Sequence, residues 1–417
     1  MLYIALEDVA TPVSNDDLAR HIRNNRATGL RHVLLQSPHL DGDDSGQRQS
    51  LLENILAFSQ SRATMPEDKV YALLGISSGS ASVSLQREIQ LNGLMAPRQL
   101  YAYIVQLALE VDSPQFGTFA ISGASQQPLM TGLPSWAPDL TSITLFLNTT
   151  HYHRPGVYSA GSSLKAEYDF RPGGAQLRMR GVLLDHVHSC TMPICDFPGS
   201  DAAAGHPAPK TLWQAIVRVL DVTDAKSPWT FVRPLLDAVS LVRQHIPDTY
   251  LGGMDPSEAL CRTILQGLDQ EAQDLLVDQT RVASAMRALA ELELASRAAE
   301  ARNRTNNDHQ HLQQSAGLRR DVLKITSEGS KAYDRGLAVA LAFRQVAITR
   351  KGYLASVPWG TKQGDAVCIF QGAPAPCVLR PVEDGGPDCY LFHGEAYVQG
   401  WMHGEAMDLE KVWFTLT

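Results

Sequence analysis

No stretch of this 417-residue chain approaches the ~18 consecutive apolar residues that a bilayer-spanning helix needs. No basic-then-apolar leader opens it either, so the expected location is cytoplasmic. Cysteine is sparse. The six (Cys190, Cys195, Cys261, Cys368, Cys377 and Cys389) include no Cys-x-x-Cys pair, which points to reduced core thiols rather than a disulfide frame or a zinc knuckle. Neither G-x-x-x-x-G-K-[ST] nor G-x-G-x-x-G occurs, so no phosphate-cradling loop and no cofactor is expected by motif. Basic charge is also in deficit, with 36 Lys+Arg against 44 Asp+Glu and a net charge of −8. Nucleic acid and anionic membrane both need a basic face, so neither is expected as the main partner. A local basic groove would still be compatible with that total. No internal repeat of fixed period is present.

The chain does have the composition of a globular protein, 44% hydrophobic and 19% charged, and enough length for one large or two ordinary domains. Its densest strand signal lies in residues 343–405. The runs Phe343-Arg344-Gln345-Val346-Ala347-Ile348-Thr349, Gly364-Asp365-Ala366-Val367-Cys368-Ile369-Phe370, Pro376-Cys377-Val378-Leu379-Arg380, Cys389-Tyr390-Leu391-Phe392 and Glu395-Ala396-Tyr397-Val398 are rich in β-branched and aromatic residues. Turn residues at Lys351-Gly352, Gly364-Asp365, Gly372 and Gly385-Gly386 separate them, close enough for hairpins. Five short strands bury too little surface to stand alone, so strand-like segments at 143–147, 156–160 and 177–188 are expected to join them. The expected fold is α+β: a small antiparallel β-barrel or curved sheet built from two separated segments, with a helical N-terminal part and a large helical insertion. The corresponding divisions are 1–132, 133–198, 199–335 and 336–417.

Helical spacing appears at 50–61 (Leu51, Leu52, Ile55, Leu56) and at 99–111 (Leu100, Tyr103, Ile104, Leu107, Ala108). Between them Thr64, Pro66, Glu67 and Asp68 supply helix-start signals and Gly75 a stop. Residues 271–302, rich in Ala, Leu, Glu and Arg, are expected to form one long helix.

Three motifs occur in order. The first is Asp68-Lys69-Val70-Tyr71-Ala72-Leu73-Leu74-Gly75, and the second is Leu133-Pro134-Ser135-Trp136-Ala137-Pro138-Asp139. The third comprises Gly364-Asp365-Ala366-Val367-Cys368, Val378-Leu379-Arg380 and residues 394–405, which begin Gly394-Glu395-Ala396-Tyr397-Val398. In order and spacing the chain resembles the fungal heterokaryon-incompatibility (HET) proteins. That resemblance implies a companion region which follows the HET domain proper, a fold related to nucleotide-signalling TIR-like domains. The Ser-Tyr-x-Trp-Gly, Cys-Ile-Asn-Gln and Trp-x-x-Gln-Glu hallmarks of that domain are absent from this sequence. Short HET-like proteins of this kind also occur in fungal specialised-metabolite gene clusters.

Candidate site residues follow from chemistry. His151 and His153, flanking Tyr152, sit in a loop where an imidazole could act as general base or donor. The alternative there is an exposed polar loop. His403 lies beside Glu395 and Glu405 among Gly394, Gly400 and Gly404, a tight chain path suited to acid–base work, although the two carboxylates could simply satisfy backbone donors. Tyr158 is the other candidate donor. Trp136, Tyr152, Trp359, Tyr397 and Trp401 could line an apolar pocket or be core. His186, His188 and Cys190 would share one face of an alternating strand as a soft-ligand set, but no fourth ligand is evident and no metal is expected. Two functional expectations result. One is a HET-like scaffold that encloses an apolar small molecule and accelerates a cofactor-free cyclisation of the Diels–Alder type, which needs shape and one or two donors rather than a motif. The other is a non-catalytic incompatibility-type regulatory or interaction protein.

Overall fold

The computed structural model describes residues 50–58, 63–110, 130–141, 157–171, 176–191, 229–246, 248–267, 344–383, 386 and 388–417. Among the described residues four helices come first: α1 (Leu51–Ala57), α2 (Asp68–Tyr71), α3 (Ser80–Asn92) and α4 (Pro97–Glu110). Proline at the first position of α4 has the required φ and lacks only an N–H that no helix could use there. Leu100, Ile104, Leu107 and Ala108 of α4 pack with Leu51, Leu52, Ile55, Val70 and Leu85 from the other three helices. Val105 and Leu109, about 100° round the same helix, join Trp136 and the sheet instead. One helix therefore belongs to two cores. The expected helix ending at Gly75 is realised as the single turn α2. Beyond it Leu73, Leu74 and Ile76 donate to carbonyls three residues back, a tighter winding that rarely persists. Helix α3 carried no clear sequence signal, since its apolar residues are few and Val83 and Leu91 are exposed.

The remaining elements are β1 (Tyr168–Phe170), β2 (Leu177–Cys190), α5 (Trp229–His245), α6 (Pro256–Ile264) and β3 (Arg344–Thr349). They are followed by β4 (Leu354–Pro358), β5 (Ala366–Phe370), β6 (Cys377–Pro381), β7 (Cys389–Glu395), β8 (Tyr397–Val398) and β9 (Val412–Leu416). All nine strands join one sheet in the order β5-β6-β7-β9-β2-β3-β4-β8, with β1 on β2 and a further pairing of β5 with β2. The fold is thus α+β with a curved, largely antiparallel sheet. The circuit β2-β5-β6-β7-β9 returns to β2. The exception to antiparallel pairing is β7 with β9, which run parallel.

Strand β2 makes this possible by changing partners along its length. Leu177–Gly181 pairs with β9, Gly181–His186 with β5, and Val187–Cys190 with β3. Irregularities between Leu183 and Asp185 and between Val187 and Ser189 supply the bends that such curvature needs. Side chains of β2 alternate between two cores. Leu177 and Met179 meet Phe370, Leu379, Phe414 and Trp136, whereas Val182, Leu184 and Val187 meet Ala347, Val357, Ile369 and Val398.

The turn Leu133-Pro134-Ser135-Trp136 closes one side. Ser135 N donates to Thr417 O at 2.9 Å, its Oγ also donates to that carbonyl, and it accepts from Phe392 N at 2.9 Å. Asp139, 1% exposed, accepts from Met130 N and Thr141 N at 3.1 and 3.0 Å. The expected strand at 156–160 does not form over its described residues 157–160. There Ala160 N and Gly161 N donate to Pro374 O and Ala373 O, and Ser162 N turns back to Ser159 O. An added Cβ on Gly161 would lie 2.3 Å from Phe370 O, so the chain crosses that loop by backbone approach rather than pairing alongside it. The expectations for 143–147 and 271–302 lie outside the described residues.

Gly181 stands where β2 passes from β9 to β5, and an added Cβ would sit 2.4 Å from Ile369 O. Gly181→Ala must separate β2 from β5. We expect a loss of about 3 kcal/mol or more, at the upper end of overpacking costs, measured by urea unfolding of the full chain.

Candidate functional site

The most elaborate polar junction lies where α6 meets the sheet. Asp255 caps α6 by accepting from Ser257 N and Glu258 N at 2.8 and 3.2 Å, with Pro256 at the first turn, so the helix starts sharply. It ends as sharply: Gln266 and Gly267 adopt φ of 53° and 66°, and Gly267 N donates to Arg262 O. This left-handed pair aims the Gln266 carbonyl at the sheet, where the buried Tyr158 hydroxyl donates to it. Glycine is required at 267, since a Cβ there would lie 3.0 Å from the Tyr397 hydroxyl and 3.3 Å from that of Tyr158. Tyr397 donates to Gln399 Oε1 at 2.5 Å. The Gln399 carbonyl accepts from Tyr250 Oη at 2.8 Å, and that oxygen accepts from Leu354 N at 3.0 Å. Burial pushes the Tyr250 phenol far above its ordinary range. Tyr158 thus ties the end of α6 to the 157–162 crossing, and Tyr250 ties the α5–α6 segment to β4 and to the residue after β8.

Of the predicted residues, Tyr158, Tyr397 and His403 come together. The Tyr158 ring centroid is 6.1 Å from Tyr397 and 5.8 Å from His403. The two phenols are buried, whereas His403 is exposed. Glu405 accepts from His403 N at 2.7 Å, which is the backbone-satisfying role open to it from sequence. Trp401 stands elsewhere, half-buried against Tyr353 at 5.2 Å. Trp136 is 1% exposed in the core, edge-on to Phe170. Trp359 is half-buried at the end of β4. His151, Tyr152 and His153 lie outside the described residues.

A second cluster, which sequence patterning did not single out, surrounds His393. The register shift in β6–β7 places it as the extra residue between Phe392 and Gly394, and such bulges re-aim a side chain. Arg380 grips the buried Asp365 through Nε–Oδ1 at 3.0 Å and Nη2–Oδ2 at 2.8 Å, and donates to Gly360 O at 2.7 Å. His393 is hydrogen-bonded to the Trp359 backbone, while its enclosed Nε2 has no partner. Burial and then the Arg380 guanidinium hold its imidazole down at about 4, against the pull of Asp365. Residue by residue His393 is only half-buried, but the Nε2 atom is sealed, and that atom sets the energetics. The group is a neutral base at pH 7.

The soft-ligand set does not assemble. The irregularity between Val187 and Ser189 breaks the alternation that would align His186, His188 and Cys190. Burial raises the Cys190 thiol to about 12, far from the thiolate a metal needs, and His186 is lowered first by burial and then by Arg350. Among the described residues no group of three or more His, Cys, Asp or Glu side chains is placed to hold a metal. The run Gly75-Ile76-Ser77-Ser78-Gly79 fits the Gly-x-Ser-x-Gly pattern of hydrolase elbows, yet it follows a helix, not a strand. Ser77 is buried, donating to Leu73 O at 2.7 Å and accepting from Asn54 at 2.9 Å. It is a structural hydroxyl. A cleft of about 280 Å³ is lined by His245, Ile246, Asp248, Thr249, Tyr250, Leu251, Lys351 and Gly352; none of the predicted site residues lines it.

Residues 261–414, from within α6 through most of β9, match the family described as the Het-6 beta-barrel domain. Over that stretch the chain is similar to the heterokaryon-incompatibility (HET) proteins. The match spans the Gln266–Gly267 turn, Tyr397, His403 and the His393 cluster together. Among curated proteins, the chain is similar to heterokaryon incompatibility protein 6, OR allele, of Neurospora crassa, at 34% identity over 96 residues. That alignment covers 22% of this chain and only 14% of the relative. No solved structure matches the chain.

Two measurements check this geometry. Tyr158→Phe leaves the Gln266 carbonyl without its donor and is expected to cost about 1–2 kcal/mol in chemical unfolding, with the fold retained. For His393, the folded state binds fewer protons than the unfolded chain between the ordinary 6.5 and about 4. Stability is therefore full above pH 6.5 and falls as pH drops through that window. Compared with His393→Gln, the wild type should lose up to about 3 kcal/mol more between pH 7 and pH 4, read from urea midpoints across pH.

Proposed function

We propose that this protein acts by recognition rather than by chemistry, as a heterokaryon-incompatibility-type regulatory or interaction protein. One observation carries this reading. The hydroxyls of Tyr158 and Tyr397, the donors that a cyclisation catalyst would direct at its substrate, are tied to the Gln266 carbonyl and the Gln399 amide. The first anchors the end of α6, and the second is engaged by a neighbour in its own segment. The Neurospora crassa relative is itself named a heterokaryon incompatibility protein.

The convergence of Tyr158, Tyr397 and His403 supports a second reading. In it an apolar small molecule displaces the α6 turn from the two phenols, which then hold it for a cofactor-free cyclisation in specialised metabolism, with His403 as the solvent-facing proton carrier. Catalysis of that kind rests on positioning and excluded water.

Deletion of the gene in its native fungus separates the two. On the recognition reading, heterokaryon pairing tests change outcome while the profile of extractable small molecules stays the same. Loss of a cyclised product and build-up of its linear precursor, with pairing unaffected, would overturn that reading in favour of catalysis.

A further inference from the structure

His188 and His245 meet although they belong to different elements. His188 lies near the end of β2 and His245 is the last residue of α5. Their rings are in T-shaped contact, with centroids 4.9 Å apart and planes at 79°, and both residues are exposed. The strand irregularity after Val187 leaves that residue buried and His188 outside. This is how His188 parts company with His186 and Cys190 and reaches the helix.

The separation has a chemical meaning. A borderline dication lies about 2.0–2.1 Å from an imidazole nitrogen, which puts each ring centre roughly 3.2 Å from the ion. Two rings on one ion, at angles between square-planar and tetrahedral, then stand about 4.5–5.2 Å apart. The observed contact falls inside that range. His245 also sits at the carbonyl end of α5, where partial negative charge favours a cation. It forms part of the wall of the 280 Å³ cleft together with Asp248, Thr249 and Lys351. That space accommodates water or a ligand oxygen on the ion, and the Asp248 carboxylate belongs to the same wall. Because no third protein ligand is in place among the described residues, the ion would keep solvent positions, as open sites do.

We propose that His188 and His245 form a two-histidine clip for a borderline transition-metal dication such as Zn²⁺, Ni²⁺ or Cu²⁺. The bound ion pins the end of α5 to β2 and presents open coordination positions to the cleft. This role is independent of whether the protein acts by recognition or by catalysis.

The test is calorimetric titration of the full chain, freed of metal by a chelator, with Zn²⁺, Cu²⁺ and Mg²⁺ in turn. One equivalent of Zn²⁺ should bind in the micromolar range, with Cu²⁺ tighter and Mg²⁺ silent. His188→Gln and His245→Gln should each weaken binding at least tenfold, while Cys190→Ser leaves it unchanged. Binding that survives both histidine variants, that disappears with Cys190→Ser, or that needs millimolar metal overturns the proposal. Should a variant fail to fold, electron paramagnetic resonance of the Cu²⁺-loaded wild type decides. Splitting from two imidazole nitrogens supports the clip, and its absence rejects it.

Discussion

Backbone pairing along one 14-residue strand holds this protein together. β2 is the sole strand longer than seven residues among those described, and it pairs with β1, β9, β5 and β3 in succession. Without it, the strands after residue 343 would fall into two separate pieces, β5-β6-β7-β9 and β3-β4-β8, each with unpaired edges that invite mispairing. The two irregularities along β2 are therefore necessary. They let one strand serve partners running in different planes, and they decide which of its side chains enter which core.

The helices depend on that sheet in two different ways. α4 is held by apolar packing, with one set of residues facing α1–α3 and another facing the sheet. The α5–α6 segment is held by hydrogen bonds as well, through Tyr158 and Tyr250. Buried donors and acceptors left alone would each cost about 1–3 kcal/mol, so this junction is specific: α6 fits only where its carbonyls and the phenols coincide. Charged groups obey the same rule. Arg344, 2% exposed, donates to Ser356 Oγ at 2.9 Å, to Ser356 O at 2.5 Å and to Glu395 O at 3.0 Å. Asp365 is held by Arg380 and by Lys362 N at 2.8 Å. His393, in the same neighbourhood, keeps one sealed nitrogen without a partner, a feature native interiors seldom tolerate.

Much of the sheet was legible because its signal is local. The runs 366–370 and 377–379 are continuous apolar stretches, and both lie buried within strands. β9 was harder to read. Val412-Trp413-Phe414-Thr415-Leu416 follows a turn-rich stretch, and its place between β2 and a parallel β7 depends on contacts far away in sequence. The segment 156–160 looked like a strand by composition, but a backbone-to-backbone crossing at Gly161 left no room for pairing. The aromatic and imidazole candidates divide for the same reason. Tyr158 and His403, expected to do chemistry, converge with Tyr397, expected to line a pocket, whereas Trp136 and Trp401, expected to line it too, lie in other places.

The amino-acid sequence by itself determined the class of the fold, the motifs that mark a HET protein, and the positions of most strands in the C-terminal part. Each of these is set by side chains within a few residues of one another. Only the tertiary structure decided that Tyr158 meets the carbonyl of Gln266, that His393 is a bulged and sealed base, and that His188 faces His245 rather than Cys190. Those pairings depend on register shifts and left-handed turns, in which a one-residue displacement redirects a side chain to the opposite face. No local pattern of residue types records such a displacement.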